Sequence, residues 1–306
     1  MKKIFLVLIT TAIFFSCKKK DDAVQLQTFN DYIAGKPELS IFNALLDKAK
    51  LQDFKNGGGP FTWFIPTNSS FNALGFTLDS VNRLTTGQAS YVANYHLLNS
   101  LALTKDLVAQ NSVPRNTQLG LPVYVGSSNG TFYVNGSKII SANNQLSNGV
   151  IHIIEKPNTP VNYVGNIQSI LSRTGQHTLF IAALTKATRW TQFSSTNAYT
   201  VLAPTDAAMT SAGFTSAAIT AATGGTGTRL DSIVRYHYFN SIRLFTNDLG
   251  NRESPQTALG AGRTILSSSA GTLIKGRTNS TPANVTTTNL LGTNGVVQII
   301  DGVLKF

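Results

Sequence analysis

Apolar positions along this chain form a series of patterns that occurs twice in the same order. Residues 38–49 place Ile41, Phe42, Leu45, Leu46 and Ala49 on one side of a predicted helix, and residues 176–187 repeat the pattern. A short strand follows in each half, residues 61–66 and 199–204. Each ends in a proline (Pro66, Pro204), which cannot donate to a ladder. Thr67 and Thr205 stand as N-caps for a short helix that turns Phe71 and Met209 inward. A further helix leads into Tyr95-His96-Leu97-Leu98 and Tyr236-His237-Tyr238-Phe239, and then into Thr104–Leu107 and Thr246–Leu249. A strand-rich stretch comes next, with hairpin turns expected at Asn129–Gly130 and Asn135–Gly136 in the first half. Each half closes on an Asn-Gly turn and a β-branched run: SNGVIHIIEKP from Ser147, and TNGVVQIIDGVLKF from Thr293. Gln298 interrupts the second run at mid-strand. The chain is therefore expected to end in a strand held inside a sheet.

The repeat divides the chain into residues 26–160 and 161–306, joined by the short proline-bearing stretch 157–160, which predicts limited freedom between the halves. Equivalent positions lie 138 residues apart at Pro66 and Pro204, and 146 apart at Gly149 and Gly295, so small insertions separate the copies. Residues 215–228 are rich in Ala, Thr and Gly and are expected to be locally loose. The first sixteen residues fit neither half. Lys2 and Lys3 precede an apolar run over residues 4–15 that is too short to cross a bilayer, which marks 1–16 as a targeting segment. It stops at Ser16–Cys17, and Cys17 is the chain's one cysteine. This resembles a bacterial lipoprotein signal, with Phe14 where such signals usually carry Leu. It implies cleavage before Cys17, acylation there, and a flexible tether over 17–25. The other reading is an ordinary signal peptide with an incidental cysteine. Lysines followed by Asp21 and Asp22 resemble a surface-export signal of Gram-negative lipoproteins. The expected location is thus the outer membrane, lipid-anchored and exposed on the cell surface.

Three motifs in fixed order carry a resemblance to the fasciclin-like (FAS1) domain family. They are the strand-to-helix motif at 64–68 and 202–206, the Tyr-His pairs at 95–96 and 236–237, and the closing strand at 148–155 and 294–301. Met209 departs from the usual Phe, and Gln298 from a His that His152 retains. The resemblance implies two α+β wedges, each a β-sandwich of about seven strands with several helices along one side. It also implies adhesion, since a Tyr-His motif with aliphatic flanks is associated with receptor adhesion in animal relatives. From chain position alone, Tyr95, His96, Tyr236 and His237 have a structural reading as well, with each imidazole satisfying a nearby backbone group.

Composition narrows the chemistry. Only 13% of residues are charged, and the formal net charge is +11. Residues 161–306 hold eleven Lys/Arg against five Asp/Glu, and eight of the eleven are Arg. A solvated basic surface is the plain reading; a face for acidic glycans or lipid head groups is the sharper one. The four histidines (His96, His152, His177, His237) show no metal-ligand spacing, and no nucleophile elbow or phosphate loop is present in the sequence. Gly224–Gly227 reads as a loop. No catalytic residue, metal or cofactor is expected, and nucleic acid is an improbable partner. The functional expectation is a non-enzymatic surface lipoprotein that binds an extracellular protein or glycan. The alternative is an accessory subunit of an envelope complex for polysaccharide capture or import.

Overall fold

A computed structural model describes residues 25–108, 112–160, 164–250, 254–260, 265–268 and 270–306; Cys17 and the targeting segment lie outside them. The first domain begins with helices α1 (Phe29–Ala34), α2 (Ser40–Lys48) and α3 (Gln52–Asn56). Strand β1 (Phe61–Pro66) leads to α4 (Asn68–Asn72), α5 (Leu78–Arg83) and α6 (Thr86–Asn94). Strands β2 (Leu97–Leu98), β3 (Val113–Asn116), β4 (Pro122–Ser128), β5 (Thr131–Val134), β6 (Ser137–Leu146) and β7 (Gly149–Ile154) complete it. They form one curled sheet in the order β2-β1-β7-β6-β5-β4-β3, with β1 and β7 as a parallel pair one strand in from the β2 edge.

The curl has a local cause. The register of β6 against β7 shifts twice between Ile139 and Asn144, and such irregularities bend a strand. Because side chains alternate along a strand, the sheet serves two cores. Trp63, Ile65, Ile151 and Ile153 face α1, α2 and α6, meeting Phe29, Phe42, Leu45 and Leu46. Phe64 and Ile154 point the other way, into the fold of the sheet, against Tyr95, Val123, Val125 and Val134. Asn129 and Asn135 adopt positive φ at the two hairpin turns, as their Asn-Gly sequences predict.

The second domain repeats this plan with α7 (Ile167–Thr174), α8 (Thr178–Lys186), β8 (Tyr199–Pro204), α9 (Asp206–Ser211), α10 (Ser216–Ala221) and α11 (Arg229–Tyr236). Then come β9 (Tyr238–Asn240), α12 (Thr246–Leu249), β10 (Leu266–Ser267), β11 (Leu273–Lys275), β12 (Ala283–Gly292) and β13 (Gly295–Ile300). Its sheet has six strands among the described residues, ordered β10-β11-β12-β13-β8-β9, again with a parallel pair, β13 and β8, one strand in from an edge. Thr67 and Thr205 cap α4 and α9 through their hydroxyls, and Phe71 and Met209 are buried. The last strand ends at Ile300, where the apolar run of the sequence ends, and Val303 and Leu304 beyond it are buried. One expectation needs correction. The Ala/Thr/Gly-rich stretch is not loose: Thr215 caps α10, Ile219 is buried, and the Asp231 carboxylate accepts the Gly227 N–H at 2.9 Å.

The domains meet where α12 packs on β4. Phe245 is fully buried, with its ring centroid 5.8 Å from that of Tyr124. The Arg243 guanidinium lies over the same Tyr124 ring at 5.3 Å. Asp248 Oδ1 accepts hydrogen bonds from the Ser112 N–H (2.9 Å) and Oγ (3.0 Å), and Asn289 Nδ2 donates to the Gly136 carbonyl.

Candidate functional site

The Tyr-His pairs sit where α6 and α11 end, and all four side chains are fully buried. Each histidine bridges the last helical turn to the segment that follows its closing strand. His96 Nδ1 donates to the Val92 carbonyl (2.9 Å), and Nε2 accepts the Asn158 N–H (2.9 Å). His237 does the same with the Ile233 carbonyl (2.8 Å) and the Leu304 N–H (2.9 Å). A ring that must donate on one side and accept on the other is held neutral. Burial pushes both histidines down to about 4, against the smaller opposing effect of the backbone carbonyl. Tyr95 donates its hydroxyl to the Pro122 carbonyl at 3.0 Å, and Tyr236 accepts the Arg277 N–H at 3.1 Å. Burial raises the Tyr95 hydroxyl well above its ordinary value. The apolar flanks Leu97, Leu98, Tyr238 and Phe239 are core residues.

A second buried polar position explains the departure at Gln298. In the first domain His152 Nε2 donates to the Ala102 carbonyl (2.8 Å), while Nδ1 accepts the Asn143 N–H (3.3 Å). In the second, Gln298 Nε2 donates to the Leu244 carbonyl (3.2 Å) and Oε1 accepts the Asn289 N–H (2.7 Å). One donor and one acceptor thus serve matching backbone groups in both domains, and Gln298 Nε2 adds one bond of its own to Asn289 Oδ1 at 2.9 Å. Gln298→His is therefore expected to stay within about 1 kcal/mol of the parent. Gln298→Leu leaves two buried backbone groups unpaired and should lose about 3 kcal/mol. Urea unfolding monitored by circular dichroism distinguishes them; equal losses for the two variants would refute the equivalence.

The remaining titratable groups are tied into the fold as well. His177 Nδ1 donates to the Pro204 carbonyl at 2.8 Å, and burial lowers its pKa. Asp231 is fully buried and takes Arg189 at 2.6 Å and Arg235 at 3.8 Å. Burial alone would raise its carboxyl, but the hydrogen bonds from Arg189 and Gly227 outweigh that and hold it low. This pair escaped the sequence reading, since an Asp on an amphipathic helix reads as a solvated face. Arg173, Arg189, Arg235 and Arg243 all have intramolecular partners, so the surplus of Arg in the second half is partly internal. Among the described residues no group of three or more His, Cys, Asp or Glu could hold a metal ion, and no helix is long and apolar enough to cross a membrane. A cleft of about 350 Å³ between the domains is lined by Lys156, Asn158, Val164, Asn289 and Leu291 among others.

With this geometry in place, comparison with known proteins gives a consistent picture. The family model for the Fasciclin domain matches twice, over residues 37–160 and 175–306. The chain is 26% identical over 264 residues to transforming growth factor-beta-induced protein ig-h3 of Oryctolagus cuniculus, covering 83% of this chain and 36% of that one. It is 26% identical over 268 residues to periostin of Homo sapiens, covering 84% and 30% respectively. The chain thus spans about a third of the length of these relatives. A solved FAS1 domain pair from the insect cell adhesion molecule fasciclin I matches with TM-score 0.39 and 18% identity, covering 87% of this chain and 96% of that one.

Proposed function

The chain belongs to the Fasciclin domain family, and from that premise we propose a non-enzymatic adhesion or extracellular binding protein, held on the outer membrane by a lipidated Cys17. One observation carries the non-enzymatic part. The histidines and the buried Asp231, the groups best suited to acid–base work, are fully buried and hydrogen-bonded to the fold itself. Buried titratable groups with internal partners support a scaffold. Recognition then falls to the outer faces of the two domains, and Tyr95, His96, Tyr236 and His237 act as struts beneath them. Adhesion itself is what the family resemblance implies, and a fold hosts many functions.

Two measurements test this reading. The labelled full-length chain is expected to bind members of a panel of glycans and matrix proteins and to release them chemically unchanged. Recovery of a cleaved or modified ligand would overturn the non-enzymatic reading. Cys17→Ala is expected to move the protein from the membrane fraction to the soluble fraction, because several acyl chains together anchor stably. Undiminished attachment of that variant would overturn the lipid anchor.

A further inference from the structure

The surface by which the second domain docks on the first is present in the first domain too, and there it is open. Shared hydrogen bonds fix the correspondence. Asp248 Oδ2 accepts the Phe245 N–H at 2.9 Å, and Asp106 Oδ2 accepts the Leu103 N–H at 3.0 Å. Asn289 Oδ1 accepts the Thr246 N–H at 2.9 Å, and Asn143 Oδ1 accepts the Thr104 N–H at 3.0 Å. Both asparagines have positive φ. In the second domain this corner is covered, with Phe245 and Asp248 at 0% and 1% exposure. In the first domain Leu103, the counterpart of Phe245, is half-buried, while Leu101 beside it is 46% exposed and the Asp106 side chain 43%. Where Asp248 Oδ1 takes two hydrogen bonds from Ser112, Asp106 Oδ1 faces exposed Lys105 at 3.5 Å. A depression of about 430 Å³ opens at this corner, lined by Leu101, Leu103 and Gln145 among others.

The internal contact also indicates what fits there. The covering face is β4 of the first domain with the adjoining Ser112 and Gly136. Its counterpart by sheet order among the described residues of the second domain is β10, paired with β11, and this pair presents Leu266 (52% exposed) and Leu273 (40%) beside Lys275. Apolar surface is thus bare on both parts, with Asp106 beside exposed Lys105 on one and Lys275 on the other. We propose that a second copy of this chain seats its β10–β11 edge on the open corner of the first domain, repeating between copies the contact that joins the domains within one. Such a contact joins two unlike surfaces, so it propagates head to tail and does not close at a dimer. It stands independently of the adhesive reading.

Two exposed substitutions separate the surfaces. Leu101→Asp spoils the corner and leaves the edge; Leu266→Asp spoils the edge and leaves the corner. Sedimentation velocity on the full-length chain is expected to show average mass rising past two chains with concentration. Each variant alone should remain monomeric, and an equimolar mixture should form a capped pair at the mass of two chains and no larger. A wild-type chain that stays monomeric throughout would overturn the proposal, as would a mixture that fails to pair. Assembly of Leu266→Asp alone would also overturn it, by showing that the corner pairs with itself or with another face. Circular dichroism checks folding. Should either variant misfold, Asp106→Lys and Leu273→Asp replace them at the same two surfaces, with the same outcomes required.

Discussion

Lowering the pH from above 6.5 to about 4 is expected to remove on the order of 3 kcal/mol of stability from each domain, through His96 in the first and His237 in the second. In the unfolded chain each imidazole titrates near its ordinary value of 6.5; in the folded chain burial holds it near 4. Between those values the unfolded state binds a proton that the folded state refuses. The stabilisation is therefore complete above the unfolded value and is lost as pH falls toward the folded one. Protonating Nε2 also destroys its role as acceptor for the Asn158 or Leu304 N–H, which detaches the segment after each closing strand. His152 is shifted in the same direction by burial and adds to the loss in the first domain. Asp231, held low by its arginines, fails only at more acid pH, so the histidine window stands clear of it. Urea unfolding at pH 7, 5.5 and 4.5 reads this directly; a midpoint independent of pH across that window would refute the neutral-imidazole assignment.

The same histidines show what a sequence alone reveals and what it withholds. Their position at the end of a helix, before a strand, suggests a ring nitrogen that satisfies a nearby backbone group, and in the structure the groups are the Val92 and Ile233 carbonyls. Short-range chemistry of this kind is legible because cap, turn and proline stop act within a few residues, as at Thr67, Thr205 and the Asn-Gly hairpins. Long-range partners are a different matter. His96 meets Asn158 across 62 positions, and Asp248 meets Ser112 across 136. The repeat even misleads at this range. Asp106 and Asp248 occupy matching positions and make the same local hydrogen bond, yet one is open and the other buried at the domain contact. A duplicated sequence is nearly symmetric, whereas a contact that joins unlike faces of the two domains is not. Gln298 was legible only as a departure; its equivalence to His152 needed the positions of Leu244 and Asn289.

The closing strands rest on a smaller feature, and its removal gives the second large effect. Gly149→Ala and Gly295→Ala are each expected to cost at least about 3 kcal/mol, because the added methyl group has nowhere to go. A Cβ at Gly149 would lie 2.1 Å from the Phe61 carbonyl oxygen, and one at Gly295 would lie 2.2 Å from that of Tyr199. Both oxygens belong to the parallel strand alongside, where β1 meets β7 and β8 meets β13. Those strands cannot retreat cheaply. Phe61 and Tyr199 donate their N–H groups to the carbonyls of Asn148 and Asn294, each at 3.0 Å, so moving the carbonyl away opens the ladder at its first rung. The preceding asparagines add a second constraint. Asn148 Nδ2 holds the carbonyls of Phe54 and Gly57, and Asn294 Nδ2 holds those of Phe193 and Ser195. The Asn-Gly pair thus fastens the incoming loop with one residue and admits the neighbouring strand with the next. Gly130→Ala is the control: its turn also has positive φ, but an added Cβ meets no atom within 4 Å, so its cost should stay near 1 kcal/mol. If Gly149→Ala unfolds at the same urea concentration as Gly130→Ala, the close approach of the parallel strands is not what holds this position to glycine.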